Sequence, residues 1–191
     1  MKKEIKNLIK EMKLDCSVEE FENKVNWGCI SVYQKLSEPF IREYEGRVNW
    51  EYISKYQKLS EPFIKEYKDK LNIDKENNTL YWTFEQKLNL IKKYPQYKID
   101  GDSIIAYKGI RSDRYSTFNF QYKYEKGGVY ESHCDCNMKE GNSFGFSAWT
   151  EEEAREYCNQ NIIKVHININ DIGAIVHDGG KIRCWKFEVS D

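Results

Sequence analysis

Residues 25–47, VNWGCISVYQKLSEPFIREYEGR, are followed at once by residues 48–70, VNWEYISKYQKLSEPFIKEYKDK, and sixteen of the 23 aligned positions are identical. No other feature limits the fold as much. A unit this short cannot bury an apolar face by itself, and stacking on its own copy solves the problem. The unit also states its local structure. Asn26 and Asn49 precede Trp27 and Trp50, and an Asn side chain there accepts from the free amides of a first helical turn. Trp50, Ile53, Tyr56 and Leu59 then recur at three-residue steps, which fits one face of a short helix. Ser60 can cap a second helix whose first turn holds Pro62, where no amide bond is lost. Phe63, Ile64 and Tyr67 supply its apolar face, and in the first copy Gly46 is placed to end that helix. Each unit therefore reads as two short helices.

The flanks carry worn traces of the pattern. CSVEEFENK (16–24) resembles the capped second helix, with Ser17 as cap and Phe21 as anchor, and WTFEQKLNLIKKY (82–94) keeps a Trp, a Gln-Lys-Leu and a late Tyr. The opening MKKEIKNLIKEMKLD puts Ile5, Leu8, Ile9 and Met12 on one helical face. Its Glu4 and Glu11 interrupt what a secretory signal would leave apolar. No run approaches the roughly 18 apolar residues of a membrane span. Six cysteines without such a signal suit reduced thiols, so a cytoplasmic protein is expected.

Past residue 98 the period changes. SIIAYKGI (103–110) reads as a strand with Gly109 as a break. STFNFQYKYEKGGVY alternates Phe118, Phe120, Tyr122 and Tyr124 on one face, as a strand would, before a Gly127-Gly128 turn. NSFGFSAWT is a further short strand, and TEEEAREYC opens with Thr150 as cap and Glu153 placed to reach back. IIKVHININ alternates Ile163, Val165, Ile167 and Ile169. DIGAIVHDGGKIRCWKFEV reads as two strands joined by Asp178-Gly179-Gly180. The expected fold is α+β, with a helical-repeat module over 1–98 and a small β-rich domain with at least one helix over 99–191.

A formal net charge of −1 lacks the cation excess of broad nucleic-acid binding, so neither nucleic acid nor membrane is an expected partner. His133, Cys134 and Cys136 stand close together, but Cys-x-Cys is tighter than a zinc knuckle and has no second pair, so no metal is expected. No nucleophile motif and no phosphate-cradling glycine loop stands out.

The 23-residue unit resembles a short helical repeat of phage and prophage proteins. The series YKG, FQY, G-VYE, FGFSA, EEA, KVHI, KIRC and KFEV, within residues 105–189, resembles a phage-associated domain of unknown function. The resemblance implies an accessory protein that binds and modulates, chiefly by inhibition, a host or defence protein. That role needs neither catalysis nor cofactor. Trp27, Trp50, Tyr33 and Tyr56 are its candidate contacts, since Trp and Tyr are common interface anchors.

YKGI (107–110), FGFSAWTEEEA (144–154) and KIRCWKFEV (181–189) also resemble, in order and spacing, ADP-ribosyltransferases of the Arg-Ser-Glu type. That resemblance implies the alternative: an NAD-dependent transferase that modifies a host protein or nucleic acid. Lys108, between Tyr107 and Gly109, would take the place of the NAD-binding Arg. Ser147 would be the first Ser of the middle strand, and Glu188 the catalytic Glu. Here the middle triplet reads Ser147-Ala148-Trp149, and Lys lacks the bidentate fork of Arg.

Overall fold

Residues 2–158 and 160–190 are described by a computed structural model, and they fall into two compact units divided between Asp74 and Lys75. In the first unit the expected faces and caps form. Helix α1 (Lys2–Glu11) buries Ile5 and Leu8. Helix α2 (Val18–Lys24) starts from Ser17, which forms a full capping box with Glu20, and it buries Phe21. Each repeat copy then contributes two helices, α3 (Trp27–Tyr33) with α4 (Glu38–Glu43), and α5 (Trp50–Tyr56) with α6 (Glu61–Glu66). Asn26, Ser37, Asn49 and Ser60 cap them, and both prolines lie in a first turn.

The copies reproduce each other's contacts. Ser31 Oγ donates to Trp27 O and accepts from Asn49 N; Ser54 Oγ donates to Trp50 O and accepts from Asn72 N. Between copies, the buried Gln57 amide donates to Ser31 O at 3.0 Å and Gln34 O at 2.7 Å and accepts from Leu36 N at 3.0 Å. Phe40, Ile41, Ile53 and Phe63 close the core between the helices. Truncating either Phe to alanine costs about 3–5 kcal/mol. Gly46 does not terminate α4. That helix ends at Glu43, and Tyr44 O then accepts from Arg47 N and Val48 N. Tyr67 O does the same for Lys70 N and Leu71 N in the second copy, where Asp69 stands in place of the glycine.

The second unit begins before residue 99. Helix α7 (Phe84–Ile91), capped by Thr83 with a reciprocal bond from Gln86, is no worn repeat: its Leu90 and Ile91 pack with Ile104, Val165 and Ile182 of the sheet. The sheet is wholly antiparallel. Its strands are β1 (Lys98–Asp100), β2 (Ser103–Ile110), β3 (Val129–Glu131), β4 (Phe146–Trp149), β5 (Asn161–Asn168), β6 (Ile172–Val176), β7 (Lys181–Cys184) and β8 (Lys186–Val189). They lie in the order β3-β8-β5-β2-β4-β7-β6, with β1 paired to β2. The α+β class is as expected.

Three local readings change. Residues 116–125 form no strand. Ser116 Oγ accepts from Phe118 N and Asn119 N, and Ser116 N donates to Tyr122 O, so the chain doubles back as a loop tied by one bridge between Tyr115 and Lys123. Residues 172–189 form three strands rather than two. A hairpin over 177–180, with Gly179 at φ +91°, joins β6 and β7, as its glycines predict. The chain then breaks at Trp185, whose N donates to Asp171 O and whose indole Nε1 donates to Cys136 Sγ. Beyond that break β8 crosses to pair with β3 and β5. Finally, Gly109 lies inside β2. Helix α8 (Glu151–Tyr157), capped by Thr150 through Glu153 N, crosses it so closely that a Cβ there would meet Ala154 O and Cys158 Cβ, each at 2.8 Å.

Candidate binding cleft

Where β2 and β4 meet, the sheet pairs through a single register position, Tyr107 with Trp149. A cleft of about 560 Å³ opens beside it, walled by the 116–124 loop, the 142–149 segment and the end of α8. That volume lies in the ligand-site range of roughly 300–1,000 Å³. Seven aromatic side chains line it: Phe118, Tyr122, Tyr124, Phe144, Phe146, Trp149 and Tyr157. Trp149 and Tyr157 stack with centroids 4.4 Å apart, and Phe118 sits 5.9 Å from Tyr157. Phe118 is 80 % exposed and Phe120, on the same loop, 62 %.

Lys108 enters this cleft from β2. Only 7 % of it is exposed. Its Nζ donates to Ser147 O at 2.8 Å and lies 5.4 Å from the Tyr124 ring, 5.5 Å from that of Trp149 and 6.0 Å from that of Phe187. The rings compensate part of the lost hydration, since their negative faces attract a cation. Burial still dominates and, with a smaller push from nearby Lys181, lowers the Lys108 pKa to about 8. Lys181 lines the same cleft. Its Nζ donates to Asn142 Oδ1 at 3.1 Å, and burial lowers its pKa as well. Among the described residues lining the cleft there is no Asp or Glu. The described lining thus supplies two partly desolvated cations and no carboxylate beside them, although buried charges are ordinarily paired.

The residues assigned to NAD chemistry separate. Lys108 and Ser147 share the cleft. Glu188 does not join them. It pairs with His166, which pairs with Ile105, while Lys108 pairs with Ile163. Ile105 and Lys108 are three residues apart on one strand, so Glu188 and Lys108 face opposite sides of the sheet. Glu188 is also exposed, and α8 covers Gly109. Tyr107 is half-buried and does not line the cleft. The break at Trp185 is the physical cause, because it sends β8 to a different neighbour from β7.

The candidate partner contacts divide too. Trp27 stacks on Tyr44 at 4.9 Å and Trp50 on Tyr67 at 4.8 Å, and their indole N–H groups donate to Glu22 O and Glu45 O. Both serve packing: the stacking lies within each Trp's own repeat, and the indole bond reaches back to the segment before it. Tyr56 is half-buried, and Tyr33 is 54 % exposed. Sequence reasoning did not single out Trp149, Tyr157 or Lys181, although Trp149 stood in the quoted middle strand. Phe118 was read as one face of a strand.

His133 packs against Phe144 and edge-on to Trp185, while Cys134 and Cys136 are buried beneath Leu80. Among the described residues no three His, Cys, Asp or Glu side chains gather as metal ligands would, and no helix is long and apolar enough to cross a membrane. Comparison with protein-family models, with curated proteins and with solved structures found no match.

Proposed function

We propose that the protein is a non-enzymatic binding protein that acts on another protein, in the accessory, phage-type role its repeats suggest. One observation carries this reading. The β-rich unit presents an aromatic-walled cleft whose rim loop holds Phe118 and Phe120 at 80 % and 62 % exposure. Large aromatic side chains left in water beside a concave site are typical of surfaces that a partner covers. The repeat unit, with Tyr33 exposed, supplies further docking surface. The transferase alternative lacks comparable support, because Glu188 and Lys108 lie on opposite sheet faces.

The test pairs two measurements on the same host lysate. Immobilised wild type is expected to retain a protein that the Phe118→Ser, Phe120→Ser double variant does not. Labelled NAD is expected to leave no label on lysate proteins. Label transfer by the wild type that disappears in Glu188→Gln overturns the proposal and installs the transferase.

A further inference from the structure

The cleft also indicates what a partner must bring. Among the described residues Lys108 Nζ has one hydrogen-bond acceptor, Ser147 O; three aromatic rings lie within 6.0 Å of it, and the buried Cys184 thiol and Lys181 are near. Arg183, in the same unit, is fully buried as well, but it is treated differently. It donates to Asp135 O, Glu140 O and Asn137 O, with the Asp135 carboxylate 3.8 Å from Nη2. The fold therefore does pair a buried cation where its role is structural. At Lys108 no carboxylate lines the cleft among the described residues, and a second lysine, Lys181, lines it. The remaining polar lining is neutral, made of Ser, Thr, Asn and Tyr side chains. An entering anion meets no repulsion from the described lining residues, and the apolar aromatic walls lower the local dielectric and strengthen its attraction to Lys108.

We infer, resting on the binding-protein reading above, that the partner inserts an acidic side chain into this cleft, with its carboxylate against Lys108 and flanking apolar side chains against Phe118 and Phe120. The ligand class is an acidic peptide segment. Phe120 lies outside the cleft lining. A small molecule held inside would leave that ring in water, whereas a chain passing over the rim covers it.

The probes are two capped tripeptides, acetyl-Phe-Glu-Phe-amide and its Gln counterpart, titrated into the full chain and followed by amide chemical shifts. The Glu peptide is expected to bind about tenfold more tightly at pH 7, the scale of a charge-assisted hydrogen bond in a dry site. In Lys108→Met the ratio should fall to about one. That variant is expected to fold, since it replaces a buried charge with an apolar chain of similar length, and its melting temperature checks this. In wild type the preference should also fade between pH 7 and 9, as Lys108 loses its proton near pH 8. Of the other groups facing it, burial pushes the Tyr124 phenol up and the Cys184 thiol up to about 12, so both stay neutral over that range. Lys181 is the remaining cation, and the Lys108→Met titration separates its share. Equal affinity for the two peptides overturns the inference while leaving the lysate capture intact. So does adenosine monophosphate binding more tightly than the Glu peptide with the same Lys108 dependence. Loss of lysate capture instead removes the binding reading itself.

Discussion

Both units set a lysine over a tryptophan, to opposite effect. In the repeat unit Lys70 Nζ lies 5.0 Å from the Trp50 ring and 3.2 Å from Glu45, and both charged side chains are about half exposed. In the β-rich unit Lys108 Nζ lies 5.5 Å from the Trp149 ring, buried, with no carboxylate among the described residues lining its cleft. The first arrangement covers an aromatic edge with a solvated, neutralised cation. The second holds a poorly hydrated cation at the end of a cavity. Arg183 supplies the third case, a cation buried and fully partnered. The same charge is surface dressing, ligand receptor or structural pin according to what surrounds it.

Removing each cation in turn tests that contrast. Arg183→Met should cost the most, about 3–5 kcal/mol in denaturant unfolding of the β-rich unit, because it leaves the Asp135 carboxylate buried without its cation and takes the guanidinium donors from three loop carbonyls. A loss below about 1 kcal/mol would mean that the 135–140 loop is held by other contacts.

Lys108→Met should act in the opposite direction. A fall in pKa from 10.5 to about 8 represents on the order of 3 kcal/mol of unfavourable charge burial. The variant should be more stable than wild type by a gain of that order at pH 7, less the Ser147 hydrogen bond. The sign follows from proton counting. Between about pH 8 and 10.5 the unfolded chain still binds the Lys108 proton that the folded chain has released, so wild-type stability rises with pH across that window. The variant's advantage should shrink over the same range. A variant less stable than wild type at pH 7 would place Lys108 with Arg183 as a structural cation.

Lys70→Ala should change least, about 0–1 kcal/mol, since an exposed pair repays little of its entropy and is screened by salt. A larger loss would show that the ring contact with Trp50, not the pair with Glu45, carries the interaction.

The repeat unit was legible almost to the residue. Its instructions are local: Asn49 and Ser60 cap helices that start one residue later, and Pro62 lies where its missing amide costs nothing. Strands β2 and β5 were legible for a similar reason, since Ile163, Val165 and Ile167 alternate against a buried face. The 116–125 segment alternates just as well and still forms a loop, because alternation says nothing about whether a neighbouring strand is available. Pattern alone could not show the turn at Trp185 either. It rests on hydrogen bonds to Asp171 and Cys136, 14 and 49 residues away in sequence. Helix α7 repeats residue types of the 23-residue unit, yet its Leu90 and Ile91 pack with the sheet.

By itself, the sequence determined the duplicated capped helices, the α+β class and the absence of strong net charge. These depend on caps, periodicity and composition, which act over one or two turns. Tertiary structure alone decided that Lys108 is buried without a carboxylate, that Phe118 and Phe120 rim its cleft, and that Glu188 faces the other way. Each of these is a question of which strand lies beside which. Strand order is set by long-range pairing and by one break at Trp185, and neither leaves a local signature in the chain.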